Sequence, residues 1–323
     1  MMTLRGRYRI TGSLQDVREI DTPQSLTKNF DKAYYTMDRG GLREKIIGSG
    51  IYSAEQLETI EKEGCKRLVA NGLCVSPFTK YRYYLIKTYT EEIIKGIKIM
   101  SKAVASDGAE LVVPKNDISI VEAAGKYVRK APNIDMRILN DNYPLGLLET
   151  FCSKTGYFEN PDDYYPGKDG IVITPVEDLL KVYLAVEGHE KNEGMPVMVV
   201  SSEGERVVIS ISGEATIDTV LDQAGIDSGG IIIMGDPLRG RAVADPAVQK
   251  LEGCLQIFVM KNTDMEITDC SGCSRCREVC PVHLRTCHSK IVLDSDRGII
   301  PFYEVDGCIG CGLCGFFCPG WKK

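Results

Sequence analysis

The rhythm of apolar and polar positions changes several times along the chain. Residues 1–60 are mixed and polar, with a helical stretch near SAEQLETIEKEG. After it, KRLVANG reads as a strand ending in a turn, AELVVPKN and IDMRILND as further strands, and SIVEAAGKYVRK as a helix between those two. In YTEEIIKGIKIMSKAV the positions Ile93, Ile94, Ile97, Met100 and Val104 recur on one helical face. Strand and helix therefore alternate between about 61 and about 150, which predicts an α/β layer with a largely parallel sheet. Another helix is predicted at PVEDLLKVYLAVE, where Val176, Leu179, Leu180, Tyr183 and Val186 share a face, with Thr174 as N-cap ahead of Pro175. From Met195 to Lys261 the strings PVMVVSS, RVVISIS, GIIIMG and LQIFVM read as short strands around one small helix, TIDTVLDQAG, so a compact β-rich module is expected. The predicted organisation is a mixed segment over 1–60, an α/β core over 61–190, the β-rich module over 195–262 and a cysteine-rich domain over 264–323.

The cysteine-rich domain carries the most specific chemistry. CSGCSRCREVCP and CIGCGLCGFFCP each read C-x2-C-x2-C-x3-C-P, a spacing whose first three thiolates wrap one cubane while the fourth reaches another cluster. Two [4Fe–4S] clusters are therefore predicted. By the pattern of two-cluster ferredoxins, one is held by Cys270, Cys273, Cys276 and Cys318, and the other by Cys280, Cys308, Cys311 and Cys314. A zinc site would use two C-x2-C pairs separated by a longer loop, and a disulfide framework belongs to small secreted domains; neither pattern is here. Gly272, Gly307, Gly310 and Gly312 suit tight cluster loops with backbone N–H groups turned toward sulfur, although each also reads as an ordinary turn glycine.

Composition narrows the setting. A chain of 323 residues with 43% hydrophobic content can bury real cores. A net charge of −6 excludes the basic footprint of a nucleic-acid binder. No apolar leader segment and no run of about eighteen apolar residues occurs, so a cytoplasmic protein without a transmembrane segment is expected. Thirteen cysteines in such a chain argue for metal ligation rather than disulfides.

Residues from about 40 to 323 resemble the C subunit of the Rnf electron-transport complex and its soluble relatives, such as the cobalamin reductase of propanediol utilisation. More distantly they are similar to the NADH-binding flavoprotein subunit of respiratory complex I. The resemblance lies in LREKIIGSGI, EEIIKGIKIM, NYPLG, GIVITPVEDLLKVYLAVE, MGDPLRGRAVADPAVQK and the paired cysteine runs, in that order. It implies a Rossmann-like α/β core, a β-grasp module of the soluble-ligand-binding type, and a small α-helical domain of two-cluster ferredoxin type. Two family features are missing. Where the family carries a glycine-rich loop that cradles flavin phosphate, this chain continues IYSAEQLETIEKEG, and Gly40-Gly41 and Gly48-Ser49-Gly50 read as turns. Where the family carries acids beside the flavin and nicotinamide, the frame Asn71, Gly72, Leu73, Cys74, Val75, Ser76, Pro77 keeps none. FMN and NADH are therefore expected to be absent. An amino-terminal biotin-carrier-like barrel is also not evident, which points to a soluble relative.

Several residues keep two readings. Cys65, Cys74, Cys152, Cys254 and Cys287 are core thiols or redox-sensing or extra-cluster ligands. His283 and His288 are solvated or tune a cluster by hydrogen bonding. Tyr81, Tyr83, Tyr84 and Tyr89, with Lys80 and Arg82, form a helix packed on the sheet or a partner surface. Phe316, Phe317 and Trp321 form core packing or an exposed docking end. The expected function is a non-catalytic iron–sulfur subunit of a hetero-oligomeric complex in an anaerobe, relaying electrons between a flavoprotein or ferredoxin and a partner reductase. The alternatives are an NADH- or FMN-dependent oxidoreductase, such as a cobalamin reductase, and a scaffold with structural clusters.

Overall fold

A computed structural model describes residues 8–9, 17–20, 34, 36–158, 164–189, 193–210, 214–260, 266–267, 271–284, 307–319 and 321–322. Its elements up to the middle of the chain are β1 (Tyr8–Arg9), β2 (Val17–Ile20), α1 (Arg39–Ser49), α2 (Ala54–Glu63), β3 (Arg67–Asn71), α3 (Tyr81–Val104), β4 (Gly108–Pro114), α4 (Ile118–Val128), β5 (Ile134–Leu139), β6 (Asn142–Tyr143) and α5 (Leu148–Thr155). There follow β7 (Ile171–Pro175), α6 (Val176–Glu187), β8 (Pro196–Ser201), β9 (Arg206–Ser210), α7 (Ile217–Ala224), β10 (Ile231–Met234), β11 (Arg241–Ala242), β12 (Gln256–Met260), β13 (Glu266–Ile267), α8 (Arg275–Glu278), α9 (Leu313–Phe316) and β14 (Trp321–Lys322).

The first layer is a four-stranded parallel sheet in the order β5-β4-β3-β7. Its central strands are buried on both faces, which is why Leu111, Val112 and Val113 run together without polar alternation. Helices α3, α4 and α6 cover one face, and α3 crosses α6 closely enough that a Cβ on Gly96 would lie 2.1 Å from the Leu179 carbonyl oxygen. On the other face Val69, Val112 and Ile173 pack under Phe151, Cys152 and Phe158. Helices α1 and α2 join the same core through Leu42, Ile46, Leu57 and Ile60. Their boundaries follow local capping rules. Asp38 accepts from the Gly41 amide at 2.8 Å, Gly50 closes α1 in the left-handed conformation, and Ser53 with Gln56 forms a capping box at the start of α2.

A second, mixed sheet has the order β11-β10-β12-β8-β9-β2, with α7 burying Ile217, Val220, Leu221 and Ala224. Its edge strand β2 comes from far upstream and runs parallel to β9.

One expectation is corrected, and one pair of readings is decided in favour of the packed helix. Thr174 does not cap α6: it lies within β7, its hydroxyl meets the Tyr52 hydroxyl at 3.0 Å, and Pro175 is the N-cap residue. The stretch Lys80–Tyr89 is not a surface, because Tyr81, Tyr83, Tyr84 and Tyr89 are all buried and α3 begins at Tyr81 rather than near Tyr89. The tyrosines extend the apolar stripe by two turns, their hydroxyls finding partners such as Pro196 O for Tyr81 and Glu19 for Tyr84.

Candidate electron-transfer site

Both cysteine runs fold as loops ending in a single helical turn. In the first, Gly272 and Ser274 take positive φ before α8, Cys273 is exposed, and Cys276 and Cys280 are buried. In the second, Gly307, Gly310 and Gly312 take positive φ before α9, with Cys311 buried and Cys308, Cys314 and Cys318 half-buried. The two short helices pack on each other. Cys270, Cys287 and His288 lie outside the described residues.

Backbone amides face two of the sulfurs: Leu284 N donates to Cys280 Sγ and Gly310 N to Cys308 Sγ, each at 3.4 Å. Burial pushes the Cys311 thiol up to about 11 and the Cys314 thiol up to about 12, and in both cases Cys280 and Cys308 add to the rise. Val279, next to Cys280 of the first run, packs against Cys311 and Leu313 of the second. No three His, Cys, Asp or Glu side chains among the described residues converge on a point that would hold a single ion. A cubane makes a different demand, one thiolate at each iron corner, and a donor set with buried thiols at Cys276, Cys280 and Cys311 and backbone amides on two sulfurs is chemically fitted to it. The raised thiols mean that loading must release protons.

The second run is seated on the end of the parallel sheet. Cys311 and Leu313 pack with Tyr143 and Leu147, with Val75, Leu238, Val279, Ile309 and Phe317 around them. The Tyr143 hydroxyl donates to the Cys311 carbonyl at 2.6 Å. Phe78 stacks edge-on with Phe316 at 5.5 Å and with Phe258 of β12 at 6.0 Å. Phe316 is nonetheless 44% exposed, so it is both packed and surface-facing. His283 is exposed, and Trp321 lies in β14 paired with Ile267.

Directly beneath lies the NGLCVSP segment. Asn71 donates to Gly146 O at 3.0 Å and accepts from Leu73 N at 3.1 Å, and Cys74 N donates to Asp141 at 2.6 Å. The same carboxylate oxygen accepts from Tyr83 at 2.8 Å, while its other oxygen has no partner among the described residues. Asp141 is wholly buried, and that burial raises its carboxyl to about 6. Arg82 grips Glu177 through two N–H···O contacts of 2.8 Å and donates to Leu73 O at 3.0 Å. A Cβ on Gly146 would fall 2.3 Å from Cys74 O. Asp141, Glu177 and Tyr52 carry no mark in the sequence, since each is an isolated polar residue with no motif around it.

The glycine amides of this region are engaged within the chain. The Gly41 amide is taken by Asp38, the Gly50 amide by Ile47 O at 2.9 Å, and Gly48 lies inside α1. Tyr52 points its hydroxyl onto Thr174 at the switch between β3 and β7, the position where open α/β sheets bind ligands. Among the remaining described thiols, Cys65, Cys74 and Cys152 are buried, which raises Cys65 and Cys152 to about 11 and Cys74 well above the usual thiol range, and the half-buried Cys254 thiol donates to Gln256 O at 3.0 Å. None has the exposed, low-pKa character of a redox sensor.

Residues 41–184 match the family of the Nuo51 FMN-binding domain. The C subunit of the ion-translocating oxidoreductase complex of Actinobacillus succinogenes is 24% identical over 279 residues, covering 81% of this chain and 39% of that one. The C subunit of the Na(+)-translocating ferredoxin:NAD(+) oxidoreductase complex of Acetobacterium woodii is 23% identical over 270 residues, covering 77% and 59%. The chain is Rnf C-subunit-like. This C-subunit-like chain spans only 39% and 59% of the two relatives. In fold it is similar to a chain of the NAD+-reducing [NiFe]-hydrogenase in its H2-reduced state, with a TM-score of 0.54 at 13% identity over 72% of this chain and 49% of that one. No helix among the described residues is long and apolar enough to cross a membrane.

Proposed function

We propose that the chain is an iron–sulfur electron-transfer subunit that relays single electrons between redox proteins within a hetero-oligomeric complex. The observation that carries this reading is the packing of the two short helices that bear the doubled cysteine runs, with Val279, beside Cys280, against Cys311 and Leu313, as a two-cluster ferredoxin module requires. Cys270, Cys273, Cys276 and Cys318 would hold the first cluster, and Cys280, Cys308, Cys311 and Cys314 the second. Each cluster supplies the uptake and release of one electron at a time. The protein's own contribution is to bury Cys311 against the α/β core, to aim amides at sulfur and to leave Cys273 toward solvent. The second sheet is read as a β-grasp module. FMN and NADH are read as absent, supported by the spent glycine amides, the acid-free segment 71–77 and Tyr52 on Thr174.

The match of residues 41–184 to an FMN-binding family favours a second reading, an oxidoreductase with a rebuilt flavin site. One preparation separates them. Anaerobically purified full-length protein is expected to carry about eight iron and eight sulfide per chain, the content of two cubanes. It should release no flavin on denaturation, and its clusters should be reduced by a low-potential donor and not by NADH. Released FMN together with NADH bleaching establishes the second reading. Clusters that no strong reductant can reduce would make the protein a scaffold.

A further inference from the structure

Asp141 is a buried titratable group that the cysteine chemistry does not use. It follows β5 at the carboxyl end of the parallel sheet and is 0% exposed. The Cys74 amide and the Tyr83 hydroxyl donate to its Oδ2 at 2.6 and 2.8 Å, while Oδ1 meets no partner among the described residues. The two other acids of this region are satisfied on both oxygens. Asp236 accepts from Leu238 N on one and from Phe78 N on the other, each at 3.0 Å, and Glu177 is gripped by Arg82. Burial penalises the charge of a carboxylate, and most where an oxygen is left bare, which distinguishes Asp141 from Asp236, although burial raises both. Solvent is one side chain away: the exposed Asn116 bonds to both the backbone amide and the backbone carbonyl of Asp141.

Two short connections join this carboxyl to the second cysteine run. Along the chain, Asp141 is two residues from Tyr143, whose hydroxyl donates to the Cys311 carbonyl at 2.6 Å. Through Cys74, whose amide it holds, it is next to Val75, which packs with Tyr143 and Leu147 on Cys311 and Leu313. The titratable and charged groups around it are Cys74 after β3, Arg82 and Tyr83 on α3 and, further out, Lys80, Asp117 and Asp236. Burial holds Cys74 and Tyr83 neutral, and Arg82 is committed to Glu177. The Asp141 carboxyl is itself raised to about 6 by burial, so at neutral pH it is ionised and close to taking a proton. We infer that Asp141 binds a proton from solvent when the cluster held by Cys280, Cys308, Cys311 and Cys314 takes an electron, and releases it when the electron leaves. This rests on the proposed electron-transfer reading. The electron comes from a low-potential redox protein and passes to a partner oxidoreductase, and the proton comes from water and returns to it. Reduction adds one negative charge to the cluster and protonation removes one from the carboxylate, so the two buried centres together keep their total charge.

The test is a redox titration of anaerobically purified full-length protein, followed by electron paramagnetic resonance at a series of pH values, after iron and sulfide analysis. One cluster is expected to show a midpoint that is flat below about pH 6 and falls above it, by at most about 59 mV for each tenfold drop in proton concentration, while the other stays flat. Asp141→Asn should remove the slope and hold the midpoint near its low-pH value, and Asp236→Asn should keep the slope. Tyr83→Phe, which removes a donor to the carboxylate, should move the start of the fall to higher pH, and it decides the matter if Asp141→Asn fails to load its clusters. Two pH-independent midpoints in the wild type, a slope that survives Asp141→Asn or one that vanishes in Asp236→Asn overturns the inference, as does a fall unmoved in Tyr83→Phe. A merely structural Asp141 would lose stability on substitution with the slope intact. Iron and sulfide content short of two clusters overturns the electron-transfer reading first, and is distinguishable because it precedes any titration.

Discussion

Gly312→Ala tests the contact that seats the second cysteine run. Gly272, Gly310 and Gly312 all have φ between +61° and +73°, so alanine at any of them meets the left-handed penalty of about 1–2 kcal/mol. Only Gly312 is also crowded: its new Cβ would lie 2.0 Å from Leu238 O, 2.8 Å from Leu238 C and 3.0 Å from the Leu238 side chain, whereas nothing lies within 4 Å of the Cβ position at Gly272 or Gly310. The obstacle is backbone, and Asp236 pins that backbone through the Leu238 amide, so the loop cannot retreat without losing bonds. Overpacking of this kind costs about 1–3 kcal/mol. Gly312→Ala should therefore destabilise by about 2–5 kcal/mol against about 1–2 for the other two. Anaerobic urea unfolding, followed by circular dichroism and the fluorescence of the single tryptophan, Trp321, measures the difference. Equal losses for Gly310→Ala and Gly312→Ala would refute the seat.

Three further outcomes are expected. Asp141 and Asp236 are both raised to about 6 by burial, so the folded state holds their protons more tightly than the unfolded chain, and stability is lost as pH rises from about 4 through about 6. For Asp141, the rise from about 4 to about 6 corresponds to roughly 3 kcal/mol, and Asp141→Asn should flatten the slope seen by denaturant unfolding across that window. Arg82→Ala would strand the Glu177 carboxylate and the Leu73 carbonyl, costing about 3–5 kcal/mol in the same assay, with Arg82→Lys costing less. Tyr143→Phe removes the donor to the Cys311 carbonyl and should cost about 1–3 kcal/mol, seen as faster loss of cluster absorbance on heating.

The sequence by itself determined what local spacing can determine. The doubled cysteine runs carry the spacing from which the proposed cluster ligands are read. The unbroken Leu111–Val113 run announces a doubly covered strand, and the period of Val176, Leu179, Leu180 and Tyr183, all of them buried, announces α6. Even the loss of acids from residues 71–77 is visible in the string. Tertiary structure decided the rest, because the deciding partners are far apart in sequence. Thr174 reads as a cap until Tyr52, 122 residues earlier, is found on its hydroxyl. The tyrosines of α3 read as core more readily than as surface, and only the second sheet and β2 brought over them decide it. The meeting of Leu238 with Gly312 and of Tyr143 with Cys311 joins segments separated by up to 168 residues, through single polar atoms and one missing Cβ. No periodicity records such contacts. They exist only once the sheet has closed and left a seat for the second cysteine run.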